Sequence, residues 1–240
     1  MESTTIEKVN SPQVSEIAVP QVSKGYLFFK RCFDLVASFL ASLLLLLPMA
    51  VIALVVVCKD PGNPFYIQER VGQDGKLLRI YKFRSMKKNA DVLEKTLTPQ
   101  QLEEYHKEYK LSDDPRLLGY KKPGDGKKCF GAVIRRTSLD ELPQIFFNIL
   151  LKGDMSVVGP RPILADELAE NYTPQEQAVF LSAKPGLTGL WQAYARNDAT
   201  YASGERQRME LSYVEKRSFG TDLKIILHTV VAVVKKTGAQ

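Results

Sequence analysis

The sequence predicts an α+β fold, mostly helical, with an N-terminal membrane helix and a cytosolic domain holding a small β-hairpin and interfacial amphipathic helices. Three observations carry this. Between Asp34 and Lys59 lie 24 residues without a charge. The next stretch alternates around Asp74-Gly75, and later segments repeat apolar residues at helical spacing.

The whole-chain averages conceal the first observation. With 240 residues, 45% hydrophobic and 25% charged, and a mean hydropathy of −0.16, the chain excludes a polytopic membrane protein, a collagen-like chain and wholesale disorder. Lys and Arg outnumber Asp and Glu by 33 to 27, and the resulting +6 favours an anionic partner: nucleic acid, an acidic membrane surface or a phosphorylated substrate. Cys32, Cys58 and Cys129 show no CxxC spacing, so neither a disulfide framework nor a zinc site is indicated. With His106 and His228 as the only histidines, chemistry falls to carboxylates, hydroxyls or lysine.

Residues 1–24 read as a disordered polar arm, and Glu2 and Glu7 argue against an ordinary signal peptide. The uncharged run that follows would reach roughly 36 Å as a helix, enough to cross a hydrocarbon core of about 30 Å. Pro48 sits in its middle, removes the hydrogen bond to the Leu44 carbonyl, and predicts a kink. Basic residues stand on both sides, Lys24, Lys30 and Arg31 before the run and Lys59, Arg70 and Lys76 after it, so both flanks look cytoplasmic. On these features a kinked span and a re-entrant hairpin fit equally well.

The hairpin is expected over about residues 64–84, turning at Asp74-Gly75. Residues 87–128 are highly charged, with a short helix from Pro99 to Lys110 and a Gly/Pro/Lys-rich loop at 119–128; they resemble an insertion or mobile lid. Leu142, Ile145, Phe146, Ile149 and Leu150 follow an i, i+3, i+4, i+7, i+8 pattern, predicting an amphipathic α-helix that ends at Lys152-Gly153. Another helix covers residues 205–216. The C-terminal DLKIILHTVVAVVKK is too short to span and suits a core or interfacial helix. No dinucleotide or P-loop glycine fingerprint occurs.

The densest chemistry lies in RRTSLDELPQ, residues 135–144. A structural reading makes it helix-start grammar, with Ser138-x-x-Glu141 as a capping box or Asp140 as the cap. A functional reading sees an anion site at a helix start beside Arg135 and Arg136. Two carboxylates in an anion site, Asp140 and Glu141, suit a nucleophile that attacks phosphorus and a ligand for Mg²⁺. GDMSVVGPRP presents Arg161 between two prolines, KPGLTGLWQ is a Gly-rich turn before the sole tryptophan, and Arg196, Asp222 and KFRSM with Lys82 add charge.

The ordered set of a proline-broken apolar segment, FYIQERVG, KFRSM, SLDELPQ, GDMSVVGPRP, PGLTGLWQ and SFGTDLKII resembles the bacterial sugar transferase family of monotopic phosphoglycosyl transferases, over roughly residues 26–236 except around 89–128. The resemblance implies a Mg²⁺-dependent enzyme on the cytosolic face of the bacterial inner membrane. It would move a sugar 1-phosphate from a UDP-sugar to polyprenol phosphate and release UMP, as a first membrane step of glycoconjugate or exopolysaccharide synthesis. It further implies Asp140 as the nucleophile that forms a covalent phosphosugar intermediate and contacts Mg²⁺, Glu141 as its dyad partner, and Arg135, Arg161, Arg196, Lys82 and Asp222 as substrate-binding residues, to which the anion-site reading of the helix start adds Arg136.

By the same resemblance the membrane helix, residues 25–59, is re-entrant about Pro48, and residues 60–240 form a cytosolic catalytic domain. The implied partners are the UDP-sugar donor, the polyprenol phosphate acceptor and anionic inner-leaflet lipids, without nucleic acid; a homo-oligomer is compatible with the sequence but not demanded by it. No motif distinguishes glucose, galactose or an acetamido sugar. The rival from another class is a membrane-tethered basic protein that binds anionic lipid or nucleic acid without catalysis.

Overall fold

A computed structural model of the chain describes residues 20–108, 111–195 and 204–234. Helix α1, Lys24–Lys59, is rich in Leu, Ala and Val and runs with helical backbone on both sides of Pro48. By length and composition it is able to cross a membrane. Its buried face is polar toward the N-terminus, with Asp34, Ser38 and Ser42 four residues apart, and apolar toward the C-terminus, with Ile52 and Val56. Between these patches Leu43, Leu44, Leu46 and Leu47 are exposed, Leu44 to 78%.

Both ends of α1 touch the folded domain. Near its start, Tyr26 and Lys30 reach Asp222, Arg31 donates to the Ile149 carbonyl at 3.0 Å, and Asp34 accepts the Val157 N–H at 2.9 Å. Near its end, Ile52 and Val56 pack with Phe83, Leu118 and Ile134.

Strands β1, Phe65–Val71, and β2, Leu77–Phe83, form the expected antiparallel hairpin, pairing Phe65 with Phe83 and Val71 with Leu77. Asp74 occupies the left-handed region at φ 56°, which Asp tolerates in tight turns. Leu78 and Ile80 point inward from β2, as period-two alternation requires.

The segment at 89–128 holds short helices α2, Leu93–Thr96, and α3, Pro99–Glu108. Its far end is stitched into the domain: the Leu118 N–H donates to Ser85 O, the Gly131 N–H to Leu118 O, and Leu118 is 1% exposed within the central core. Helix α4, Phe130–Arg136, leads to a 3-10 turn at Leu139–Glu141 and then to a π-helix, Ile145–Lys152. An ordinary α-helix, as the apolar spacing predicts, is therefore not what forms after residue 144. The π-helix buries Ile145, Asn148 and Ile149 but leaves Phe146 exposed. Asn148 explains the wider winding, because its amide bridges to β2: Oδ1 accepts the Tyr81 N–H at 3.1 Å and Nδ2 donates to Arg79 O at 2.8 Å. Gly153 ends it at φ 66°, a conformation that suits glycine.

Strand β3, Ser156–Val158, pairs in parallel with β4, Gly186–Thr188, so the Gly-rich turn of the sequence is itself a strand. Between them lie α5, Ala165–Asn171, and α6, Pro174–Leu181, the latter started by a Thr173–Glu176 capping box. After α7, Leu190–Tyr194, come α8, Glu205–Lys216, as expected, and α9, Phe219–Val234. Helix α9 buries Asp222 and Ile225 while exposing Phe219, Leu223, Leu227 and Val230.

Candidate active site

Helix α4 closes with the Thr137 N–H and Oγ1 both donating to the Val133 carbonyl. Ser138 then reverses the chain at φ 56°, an uncommon conformation for serine and a local strain. The reversal turns Asp140 and Glu141 away from the line of α4 and toward β2. Ser138 forms no side-chain cap, so the capping box does not assemble; Glu141 instead accepts a hydrogen bond from Lys82 Nζ of β2 at 2.7 Å. The two Asn148 bonds at Tyr81 and Arg79 fix the β2 backbone beside Lys82.

Asp140 is 8% exposed. Burial pushes its carboxyl up to about 6; the Lys82 ammonium draws it back, Glu141 raises it further, and the Arg135 guanidinium lowers it. Near neutral pH the group is thus ionised but poorly solvated, held by flanking cations rather than by a hydrogen bond from a described side chain. Such a carboxylate suits attack on an electrophilic centre or coordination of a cation. Among the described residues no group of three or more His, Cys, Asp or Glu is arranged to hold a metal. The adjacent carboxylates Asp140 and Glu141 are hard oxygen donors of the kind a divalent cation such as Mg²⁺ takes.

A second charged centre is built on the two glycine-proline motifs. The Gly159 N–H donates to Thr188 O and the Gly186 N–H to Pro160 O, both at 2.9 Å. A side chain at Gly159 would collide with the Lys184 carbonyl oxygen, and one at Gly186 with the Gly159 backbone, so the close approach demands glycine at both. From this locked turn Arg161 reaches Glu167 Oε1 at 3.1 Å and lies 5.8 Å from the Trp191 ring centre. Arg206 sits over the same ring at 4.2 Å and pairs with Glu167 at 3.5 Å, while Arg70 approaches Glu167 at 3.7 Å.

The predicted site residues therefore divide. Lys82, Arg135, Asp140 and Glu141 share one centre, with Arg135 and Arg136 exposed at its edge and Arg136 donating to Lys127 O at 3.3 Å. Arg161 belongs to the second. Asp222 lies in a third: its carboxylate accepts from Tyr26, Lys30 and Tyr213 at 2.8–2.9 Å, tying α1 to α8 and α9. Arg196 falls outside the described residues. Glu167, Arg206, Arg70 and Glu210 escape sequence reasoning, although Glu210 leaves a trace as a carboxylate on the same helical face as Tyr213 and Val214.

Comparison with known proteins agrees with these motifs. The family model described as bacterial sugar transferase matches residues 25–236. A UDP-galactose-lipid carrier transferase of Erwinia amylovora is 42% identical over 215 residues, covering 88% of this chain, which in turn spans 42% of that relative's length. The exopolysaccharide production protein ExoY of Rhizobium meliloti is 41% identical over 214 residues, covering 88% of this chain and 87% of ExoY. A UDP-glucose:undecaprenyl-phosphate glucose-1-phosphate transferase of Escherichia coli is 33% identical over 230 residues, 94% of this chain and 44% of the relative. With the match covering nearly all of the chain and extending to a relative of similar length, the chain belongs to the bacterial sugar transferase family.

Proposed function

We propose that this protein transfers a sugar 1-phosphate from a UDP-sugar to polyprenol phosphate, through a phosphosugar ester of Asp140. The carrying observation is the buried Asp140 carboxylate, flanked by Lys82 and Arg135 in a strained turn. An Asp140 oxygen attacks the β-phosphorus, the bond from that phosphorus to the bridging oxygen breaks, and UMP leaves with the electron pair. A phosphate oxygen of the polyprenol phosphate then attacks the same phosphorus and expels the Asp140 carboxylate. Lys82 and Arg135 offset charge gathering on the phosphoryl oxygens, while the Lys82 bond holds Glu141, the turn's second carboxylate, in place. Asp140, with Glu141 beside it, would hold Mg²⁺, whose charge offsets that of the diphosphate.

We infer further that α1 is re-entrant and that the domain rests on the cytosolic face of the inner membrane. A straight helix of this length would extend about 54 Å. Its two ends nonetheless bind one domain, through Tyr26, Lys30 and Asp34 at the start and Ile52 and Val56 at the finish, with the leucines around Pro48 left outside. A span through the bilayer would separate those ends. The exposed face of α9 and exposed lysines 59, 121, 122, 127 and 128 suit an anionic leaflet.

Incubation of the purified protein with polyprenol phosphate, Mg²⁺ and UDP-glucose, UDP-galactose or UDP-N-acetylglucosamine should release UMP, and a donor labelled in its sugar should label the wild type but not Asp140→Ala. Absence of UMP with every donor, or full turnover by Asp140→Asn, overturns the catalytic reading and favours a tethered binding protein. For topology, Ser23→Cys and Lys76→Cys should both react with an impermeant maleimide only after the cells are opened; opposite accessibility sinks the re-entrant reading.

A further inference from the structure

Proline on both sides leaves Arg161 as the sole backbone N–H donor between Pro160 and Pro162. That N–H donates to Glu210 Oε2 at 3.2 Å. Glu210, from α8, is 1% exposed, and its other oxygen, Oε1, has no hydrogen-bond partner among the described residues. Burial pushes this carboxyl up to about 7, against the pull of the Arg161 N–H and of the Arg206 and Arg161 guanidiniums, with Glu167 raising it as well.

A sealed carboxylate with one unserved oxygen is unfavourable, and an apolar side chain of similar size would fill the space at lower cost. The group gains a purpose from what it grips. The same peptide is gripped at its other end, because the Pro160 carbonyl accepts the Gly186 N–H, and the Gly159 N–H donates to Thr188 O, both on the β4 side. The Glu210 bond completes the grip from the α8 side, so the Pro160–Arg161 peptide plane from which the Arg161 side chain departs is held at both its carbonyl and its N–H. That direction decides whether the guanidinium reaches Glu167 and the Trp191 ring.

We propose that Glu210 is a positioning residue, a clamp from α8 that sets the Arg161 peptide and thereby aims its guanidinium at the donor substrate. The substrate half of this inference rests on the transfer reaction proposed above, with Arg161 as a UDP-sugar contact. The clamp itself is a property of the fold.

Because proline carries no amide hydrogen, a proteolytic fragment covering residues 160–162 reports on the Arg161 amide with little interference. In the full wild-type chain in lipid nanodiscs, this amide should exchange at least about 100-fold more slowly than in an unstructured peptide. Glu210→Leu should speed that exchange by about tenfold or more, whereas Glu210→Gln, which keeps an acceptor oxygen, should stay within about threefold of wild type. With whichever of UDP-glucose or UDP-galactose yields UMP, Glu210→Leu should raise KM about tenfold while kcat changes less than about threefold, and Glu210→Gln should restore KM.

An unprotected Arg161 amide in the wild type overturns the clamp without any variant, as does equal exchange in wild type and Glu210→Leu. Faster exchange with unchanged KM overturns its role in aiming Arg161. A wild type that releases no UMP overturns the transfer reaction instead, and the exchange measurement then decides the clamp alone.

Discussion

Asp140 and Asp222 are both buried aspartates, 8% and 5% exposed, yet their surroundings differ in kind. Asp222 accepts three hydrogen bonds from Tyr26, Lys30 and Tyr213, which satisfy it and join three helices. Asp140 has cations nearby but no described side chain donating to it, and burial lifts its carboxyl to about 6. A carboxylate that is fully served becomes a joint in the frame. One that is buried beside cations, with no described side chain donating to it, stays available to an incoming phosphorus or cation.

Experiments that separate rate from stability test this contrast. The largest expected effect is on rate: Asp140→Asn should lower UMP release by about 1000-fold or more while leaving the thermal midpoint nearly unchanged. Asp222→Ala should do the reverse in kind, costing about 4 kcal/mol of stability because Lys30 and two tyrosines lose their acceptor. A variant with normal stability and no activity would move Asp222 into the reacting centre.

Glu210 stands between the two cases, buried and half served. Its carboxyl is raised from 4.5 to about 7, so the folded state binds the extra proton and stability falls as pH climbs through that window. Melting curves at pH 5 and pH 8 should therefore show Glu210→Gln gaining about 3 kcal/mol on the wild type at the higher pH. A pH-independent difference would contradict the buried ionisation. Lys82→Gln should slow turnover by about 100-fold, since it removes a cation facing the phosphoryl oxygens. The smallest effect belongs to exposed Arg136, where Gln should change KM by less than about twofold.

Much of the frame was legible because its causes are local. The Asp74-Gly75 turn between β-forming runs announced the hairpin, and helical periodicity announced α8. The acid pair at 140–141 stood out by density, but not its geometry: the left-handed Ser138 and the reach of Lys82 across 59 residues depend on tertiary placement. The π-helix was illegible because its period answers to Asn148 bonding β2, which residue spacing along the chain does not encode. Strands β3 and β4 are three residues each and pair across two intervening helices, too short for an alternating signal. The joint made by Asp222 was not legible, because its partners Tyr26 and Lys30 lie 196 and 192 residues away.

The polar stripe on α1 sets a clock for biogenesis. Asp34 receives its Val157 donor from 123 residues downstream. At ribosomal speeds of about 5–20 residues per second, some ten seconds of synthesis separate the emergence of the apolar helix from the arrival of that donor. During this interval the nascent helix lacks the donor that its buried acid finally meets, so the stripe on α1 is completed only as the domain folds against it.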